Sequence, residues 1–593
     1  MLLALHFPRF PSFLPRRPVT LQQTSHLAEM SSWSRWRSWS WCRPGAGGAL
    51  AAGLLLLAAR CCCWARWPAL ALPVLALLLL ALSLVLPAAR RLARQHSLTR
   101  DIPGPRLEHV LRLVRARRSP ARVSDLFHDV AREHQRAGIF KFWSGPVLFV
   151  ILMRADDIEC VLTDRRAAVK SLVYDLIGTL MGEGLLHLSG ERWRRRRRIV
   201  QPYFSAEVLR GFPEVFHRRA EVLVRLLGEA QARAARAGAP VNVLPYAGQA
   251  VTDMVCHTVM ASDVDTRAME EEGIATAMSS GLAIILYRVF NPWFLYDGLF
   301  RLSRLHAHFK RSMELFDAFT LRLLSIKRAE RQHARQHERP GGDGGDRKKP
   351  TFLDVMLDTG AALTDAEVLD EVKGLITAAT GGSTDALCFV LLCISLQQDV
   401  QDRIVQELTD VFGDDAERAG SMEDLRRLEY LEAVIKETLR MFPSIPQFGR
   451  SPSHDIRLPS GHTVPAGAQV FVYTPAVHMS AEHFPQPERF EPSRFLKGSG
   501  AGAGAGPGAG RHPFAYLPFG AGAHTCIGQR YALLQIKTTV SALLRRYRLL
   551  PADTPRSPAT VQDIRTNVLV TQRARGGYWM RLEPRHGPGC TRL

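Results

Sequence analysis

The chain of 593 residues is long enough for one very large domain or a few ordinary ones, and an apolar fraction of 46% allows a large buried core. Its net charge is +21; residues 1–100 supply +11 of this, from 12 Arg and the single acid Glu29. No basic block is interleaved with aromatic residues, so the charge argues against nucleic acid and for a membrane surface or an acidic protein partner. The scattered cysteines show no doubled CxxC pattern, which argues against a zinc site and fits reduced, cytosol-facing thiols.

In chain order, residues 1–44 are Arg- and Ser-rich and read as a disordered basic extension. The same composition suits an organellar transit peptide, and Met30 is an alternative start. Residues 45–100 read as a membrane-anchor region. Within them, 69–89 ("ALALPVLALLLLALSLVLPAA") run 21 residues without a charge. As a helix rising about 1.5 Å per residue, this stretch spans the roughly 30 Å of a bilayer core. Arg90, Arg91 and Arg94 follow at once, which places the rest of the chain on the cytosolic side. "DIPGPR", 101–106, is a stiff, non-helical segment suited to holding a body at a fixed angle to a membrane.

Residues 101–593 read as a single large domain, mainly α with minor β. The stretch 140–153 predicts two short strands about a Ser-Gly-Pro turn. Residues 205–240, 301–335 and 365–410 predict long helices, with Cys388 and Cys393 as core positions. Residues 453–474 predict a small sheet, and 561–583 a hairpin turning at Gly576 and Gly577. The polar, Gly-rich stretch near 338–350 and the low-complexity stretch near 498–510 read as flexible insertions.

The stretch "FGAGAHTCIG", 519–528, carries the chemistry. The residues after Cys526 form an amphipathic helix, with Tyr531, Leu534, Val540, Leu543 and Leu544 as its buried positions. A thiol before a helix N-terminus meets unpaired N–H groups that favour the thiolate, a strong metal ligand. Gly520, Gly522 and Gly528 remove side chains, so that a large flat group can approach the backbone, and Phe519 can stack beneath it. A haem whose iron takes a cysteine thiolate meets all these demands. The competing reading is a structural cysteine beside a glycine-rich turn.

Phe519-x-x-Gly522-x-His524-x-Cys526-x-Gly528 resembles the haem-binding signature of the cytochrome P450 family, with His where the family usually has Arg. The resemblance implies that His524 donates to a haem propionate, more weakly than Arg and with pH sensitivity. Further family motifs follow the expected order. Glu437 and Arg440 form Glu-x-x-Arg, and 487–495 fits Pro-x-x-Phe-x-Pro-x-Arg-Phe and selects Arg494 over Arg489. By resemblance these three form a buried triad behind the haem. Trp193 and Arg197 match the helix that reaches a propionate; Arg194, Arg195, Arg196 and Arg198 are then left as a solvated basic face. The resemblance covers roughly 100–585, and "NPWFLYD" (291–297) and "PQFGR" (446–450) bring it closest to the fatty-acid omega-hydroxylase-like branch of animal enzymes.

The central helix departs from the family, which usually places an acid and a Thr there to deliver protons to bound dioxygen. In "ITAATGGSTDA" (376–386), Gly381 and Gly382 take those positions, leaving Ser383 or Thr384 as the candidate proton relay. The two glycines cost the helix roughly 1 kcal/mol each. Ala378 stands where the branch often has a Glu esterified to the haem, so the haem is expected to be bound through Cys526 and noncovalent contacts only.

The resemblance implies haem b and electrons from NADPH through a flavoprotein reductase. It implies a lipophilic substrate such as a fatty acid or steroid, and an endoplasmic reticulum membrane location with the catalytic domain cytosolic. No nucleic-acid partner is expected. The alternatives are a dioxygen-independent isomerase or a haem-based binding or sensor protein, and a mitochondrial inner-membrane location.

Overall fold

The computed structural model describes residues 68–116, 120–236, 238–260, 273–337, 351–358, 363–496, 511–555, 557–568 and 570–585. The expected N-terminal extension, residues 45–67 of the expected anchor region and both insertions lie outside these.

Helix α1, Pro68–Leu98, takes up the whole of 69–89 without a break. Leu75, Leu79, Leu82 and Leu86 lie exposed along it at alternating spacings of four and three, one apolar stripe facing outward. Its end is fastened to the body. Gln95 Nε2 donates to the Ala466 carbonyl at 2.9 Å, Lys141 Nζ donates to the Thr99 carbonyl, and Arg94 pairs with Asp455.

The predicted hairpin is present as Ile139–Ser144 and Val147–Leu152. It extends into a four-stranded sheet through Gln469–Tyr473, parallel to Val147–Leu152, and Gln447–Arg450. The apolar run "VLFVIL" explains its inner place. Successive side chains alternate between the two faces, so Phe149 and Ile151 enter one core cluster while Leu148, Val150 and Leu152 enter another.

The C-terminal pairing differs from expectation. Trp579–Pro584 does not pair back across Gly576 and Gly577. It pairs with Tyr547–Pro551 and with Val241–Asn242, and Gln572–Ala574 instead forms a hairpin with Thr566–Val568. The cause is burial at long range: Met580 and Leu582 enter the main core beside Leu549, which a local hairpin would not cover.

That core is helical. α2 (Gly190–Val200) and α3 (Leu244–Met260) flank α4 (Asp365–Leu396), with α5 (Glu429–Met441) and α6 (Gln529–Arg546) behind it. Thr364 starts α4 with a reciprocal cap, its hydroxyl accepting from the Glu367 N–H while Glu367 accepts from the Thr364 N–H. α4 is long and apolar enough to cross a membrane, yet most of it is buried in the protein, Cys388 and Cys393 fully. It also runs unbroken through Gly381 and Gly382, because packing on both sides offsets their low helix propensity. In α6, Tyr531, Leu534, Val540, Leu543 and Leu544 are all buried, each contributing about 1.5–3 kcal/mol.

Candidate functional site

Cys526 stands three residues before the first residue of α6, in a loop closed by its own N–H donating to the Phe519 carbonyl at 2.9 Å. Gly520 and Gly522 hold positive φ, +67° and +71°, and a Cβ on Gly522 would lie 2.4 Å from the Leu162 carbonyl oxygen. The loop therefore reaches this shape only with glycine at 522. The Cys526 side chain is accessible to solvent but surrounded by protein interior, so it opens on an internal space. Burial pushes its thiol up, while the Gly528 N–H and the Arg197 guanidinium pull it back toward the thiolate.

The inward face of α2 brings the next group of residues to this loop. Trp193 meets His524 edge to face, ring centroids 4.2 Å apart, and Arg197 Nη1 donates to the Thr525 carbonyl at 3.1 Å. Arg196 does not join a solvated basic face. It shares the inward side with Val200, is 4% exposed, and pairs with Glu367 at 2.7 Å and Glu371 at 3.4 Å on α4.

Two further cations stand in the same place. Lys170 Nζ donates to the Leu185 and Leu186 carbonyls at 2.8 and 2.7 Å, and buried Arg450 donates to the Gly449 carbonyl. Lys170 is depressed to about 7 by burial and by Arg450. His524 Nε2 donates to the Ala168 carbonyl at 2.7 Å, and its buried Nδ1 has no partner. Burial, Lys170 and Arg450 push His524 down to about 3; a carboxylate placed at Nδ1 would oppose that shift and favour a ring that donates from both nitrogens. Arg197, Lys170 and Arg450 thus converge on His524, and their charges repel one another. Such a cluster suits two carboxylates, the number of propionates on a haem. Lys170 and Arg450 escaped the motif analysis, although Arg450 ends "PQFGR".

Helix α4 borders the same core as the cysteine loop: its Leu375 and Ala379 and the loop's Phe519 and Ile527 all pack against one buried cluster. Its buried middle is interrupted by one accessible stripe: Leu375, Ala378, Ala379, Gly381 and Gly382, with Ala378 the most open. A Cβ on Gly382 would meet nothing within 4 Å. Ser383 and Thr384 are both buried, and the Thr384 methyl lies 3.8 Å from where a Gly248 Cβ would stand on α3, away from the stripe. An accessible thiol in a glycine-shaped loop, with a cationic cluster beside it, fits a flat dianionic iron macrocycle.

Behind the cysteine loop lies a buried ion network. Arg440 donates to Glu437 through Nε at 2.7 Å and Nη2 at 2.8 Å, with both side chains fully buried. Arg494 Nε lies 3.5 Å from Glu437 Oε1, and the Glu491 N–H donates to the same oxygen at 2.8 Å. Arg489 supplies only its carbonyl, to Arg440 Nη2. His478 ties this network to the cysteine loop: Nε2 accepts from the Leu517 N–H at 2.7 Å, while Nδ1 donates to the Arg440 carbonyl at 3.1 Å.

That pair of bonds requires neutral His478, and burial lowers it to about 3. A histidine with a depressed folded-state pKa contributes stability that is complete above its unfolded value near 6.5 and is lost as pH falls toward 3, at about 1.4 kcal/mol per pH unit. His478→Gln is expected to flatten the fall in denaturation midpoint between pH 6.5 and 4. An acid limb identical to wild type would show that other groups set it.

The chain was compared with known proteins. Residues 102–574 match the family model "Cytochrome P450". Human cytochrome P450 4V2 is 30% identical over 77% of this chain and 84% of its own length. Drosophila melanogaster cytochrome P450 4c3 is 32% identical over 70% and 78%, and the probable cytochrome P450 4aa1 of the same species 29% over 80% and 86%.

Proposed function

Because the chain belongs to the cytochrome P450 family, in the branch numbered 4, and is thereby a haem-thiolate monooxygenase, we propose that Cys526 ligates the haem iron and that the substrate is a lipid. The observation that carries this reading is the accessible Cys526 thiol in a loop shaped by glycines at positive φ, with the Arg197, Lys170 and Arg450 cations beside it. Bound there, the haem activates dioxygen, and its thiolate ligand favours O–O cleavage.

The chain's own residues do the rest. The Gly528 N–H and Arg197 favour the thiolate form of Cys526. Trp193, Arg197 and His524, joined by Lys170 and Arg450, hold the propionates. Phe519 and the glycines at 522 and 528 shape the loop under the ring. Glu437, Arg440 and Arg494 brace that loop from behind. Leu375, Ala378, Ala379 and Gly382 form an apolar wall beside which a lipophilic substrate lies, and Ala378 offers no carboxylate for an ester to the haem. Fatty acid is the substrate class that the omega-hydroxylase-like resemblance favours.

In the same reading, residues 69–89 anchor the chain in the endoplasmic reticulum membrane and 101–593 form a cytosolic catalytic domain, supplied with electrons from NADPH by a flavoprotein reductase. The outward leucine stripe of α1 and the exposed Leu107, Val110, Leu111, Trp293, Leu299 and Leu302 support a lipid-facing side. The exposed Arg192, Arg194 and Arg198 on α2 outnumber the two glutamates they pair with, Glu183 and Glu191, and that excess positive charge supports docking of an acidic reductase.

The test is product formation from a lipid panel, hydroperoxides included, with reductase, NADPH and isotopically labelled dioxygen. Labelled, NADPH-dependent product is expected. Unlabelled product from hydroperoxides alone would overturn the reading in favour of an isomerase.

A further inference from the structure

The loop from Leu517 to Cys526 is held mostly by its own backbone. The Gly520 N–H donates to the Leu517 carbonyl at 3.1 Å, the Thr525 N–H to the Gly522 carbonyl at 3.2 Å, and the Cys526 N–H to the Phe519 carbonyl at 2.9 Å. Among the described residues, two side chains from elsewhere grip that backbone by hydrogen bonds. Arg197 holds the Thr525 carbonyl at the cysteine end, and His478 holds the Leu517 N–H at the other. The hydrogen bonds of Glu437, Arg440 and Arg494 end outside 517–526 among the described residues, so Arg440 reaches this turn through His478.

His478 is fully buried and fixed by Arg440 at two points. Its Nδ1 bonds the Arg440 carbonyl at 3.1 Å, and Arg440 Nη1 donates to the His478 carbonyl at 3.0 Å. The Leu517 N–H can only donate, so Nε2 accepts and Nδ1 carries the hydrogen. The ring therefore has one orientation and one tautomer. The Leu517 peptide passes this constraint on: its carbonyl receives the Gly520 N–H, closing the turn in which Gly520 takes φ of +67° and Phe519 presents its carbonyl to Cys526. Tyr516, one residue earlier, is fastened separately, its hydroxyl donating to the Lys436 carbonyl at 2.9 Å.

We propose that His478 is a positioning residue for the thiolate ligand: by accepting the Leu517 N–H it holds the turn 517–520, and through the Phe519 carbonyl it holds Cys526 where the iron takes its sulfur. The proposal rests on the reading that Cys526 ligates the haem iron. Two substitutions separate the two ends of the ring. In His478→Asn the shorter amide keeps a donor for the Arg440 carbonyl, but no acceptor reaches Leu517. In His478→Gln the longer amide puts an oxygen where Nε2 stood. Gln401→Ala is the control, because Gln401 is also fully buried and also exchanges two bonds with one distant backbone residue, Leu549, at 2.8 Å each.

The test uses the full chain with haem bound, held well below its unfolding midpoint. It follows the loss of the thiolate-type carbon monoxide spectrum to the thiol-type, together with hydrogen exchange of the Leu517 amide. With one buried donor left unpaired, His478→Asn is expected to lose the thiolate-type spectrum, and to exchange Leu517, about tenfold faster than wild type. His478→Gln, which restores the acceptor, is expected to stay within about threefold of wild type in both. Gln401→Ala is expected to lower the unfolding midpoint and to keep the wild-type spectral rate. A wild-type spectral rate in His478→Asn would overturn the proposal, and so would an equal acceleration in Gln401→Ala. Should His478→Asn fail to fold, wild type decides: its Leu517 amide is expected to exchange as slowly as the amides of α6, and rapid exchange there would refute the hold. Should wild type show no thiolate-type spectrum, the Cys526 reading fails, and Leu517 exchange in the two His478 variants alone decides whether His478 holds the turn.

Discussion

Cys526→Ala is expected to abolish the thiolate-type carbon monoxide difference spectrum and to bring product formation down to assay background. The expectation is specific to the sulfur, because the loop's shape depends on other atoms. The Cys526 N–H to Phe519 carbonyl bond is backbone, and the positive φ angles belong to Gly520 and Gly522. Alanine keeps both, so the fold around the site should persist. What it removes is the atom toward which the Gly528 N–H and Arg197 are directed. The checks are the reduced carbon monoxide spectrum, haem content and product yield, taken together with a far-ultraviolet dichroism spectrum matching wild type. A retained thiolate-type spectrum would sink the assignment of Cys526.

Glu437→Ala is expected to cause a large loss of stability. The carboxylate lies between the Arg440 and Arg494 guanidinium groups and accepts the Glu491 N–H, with no exposed surface. Removing it strands two buried cations. Breaking a buried pair in this way costs about 3–5 kcal/mol, a large part of the roughly 5–15 kcal/mol by which domains are stable. Lower soluble yield, reduced haem incorporation and a shortened thermal-inactivation half-life should result. Glu437→Gln, which keeps the shape and one acceptor oxygen, should lose less. As a control, Glu423→Ala removes only an exposed helix-surface pair with Arg426, worth about 0.3–0.5 kcal/mol. Equal effects at 437 and 423 would refute the network's role.

These two sites were legible because their chemistry is local in sequence. The glycines around Cys526 announce a backbone that needs positive φ, and Glu437 and Arg440 are one helical turn apart, so their pairing follows from spacing. The buried positions of α6 and the strands at 139–152 were readable for the same reason, through a period of 3.6 or 2. What escaped depends on partners far along the chain. Arg196 looks like its four neighbours until α4 brings Glu367 and Glu371 against it, 171 residues on in the case of Glu367. Asp385 meets Arg573 across 188 residues. The strand at 579–584 chose 547–551 because Met580 and Leu582 needed cover that only the core offers. Lys170 and Arg450 carry ordinary surface charges in sequence, and only burial beside His524 marks them out.

The fastening of α1 to the body has a mechanical consequence. The helix continues past its apolar stretch to Leu98, and its last turns are held by Gln95 to Ala466, Arg94 to Asp455 and Lys141 to Thr99. A tether joined by loose coil would let the catalytic body swivel; this joint makes helix and body one stiff lever. With residues 69–89 in lipid, as proposed, the tilt of the helix sets the tilt of the body. Loosening Asp455 would then free the body to tilt against the helix without touching a single atom of the site itself.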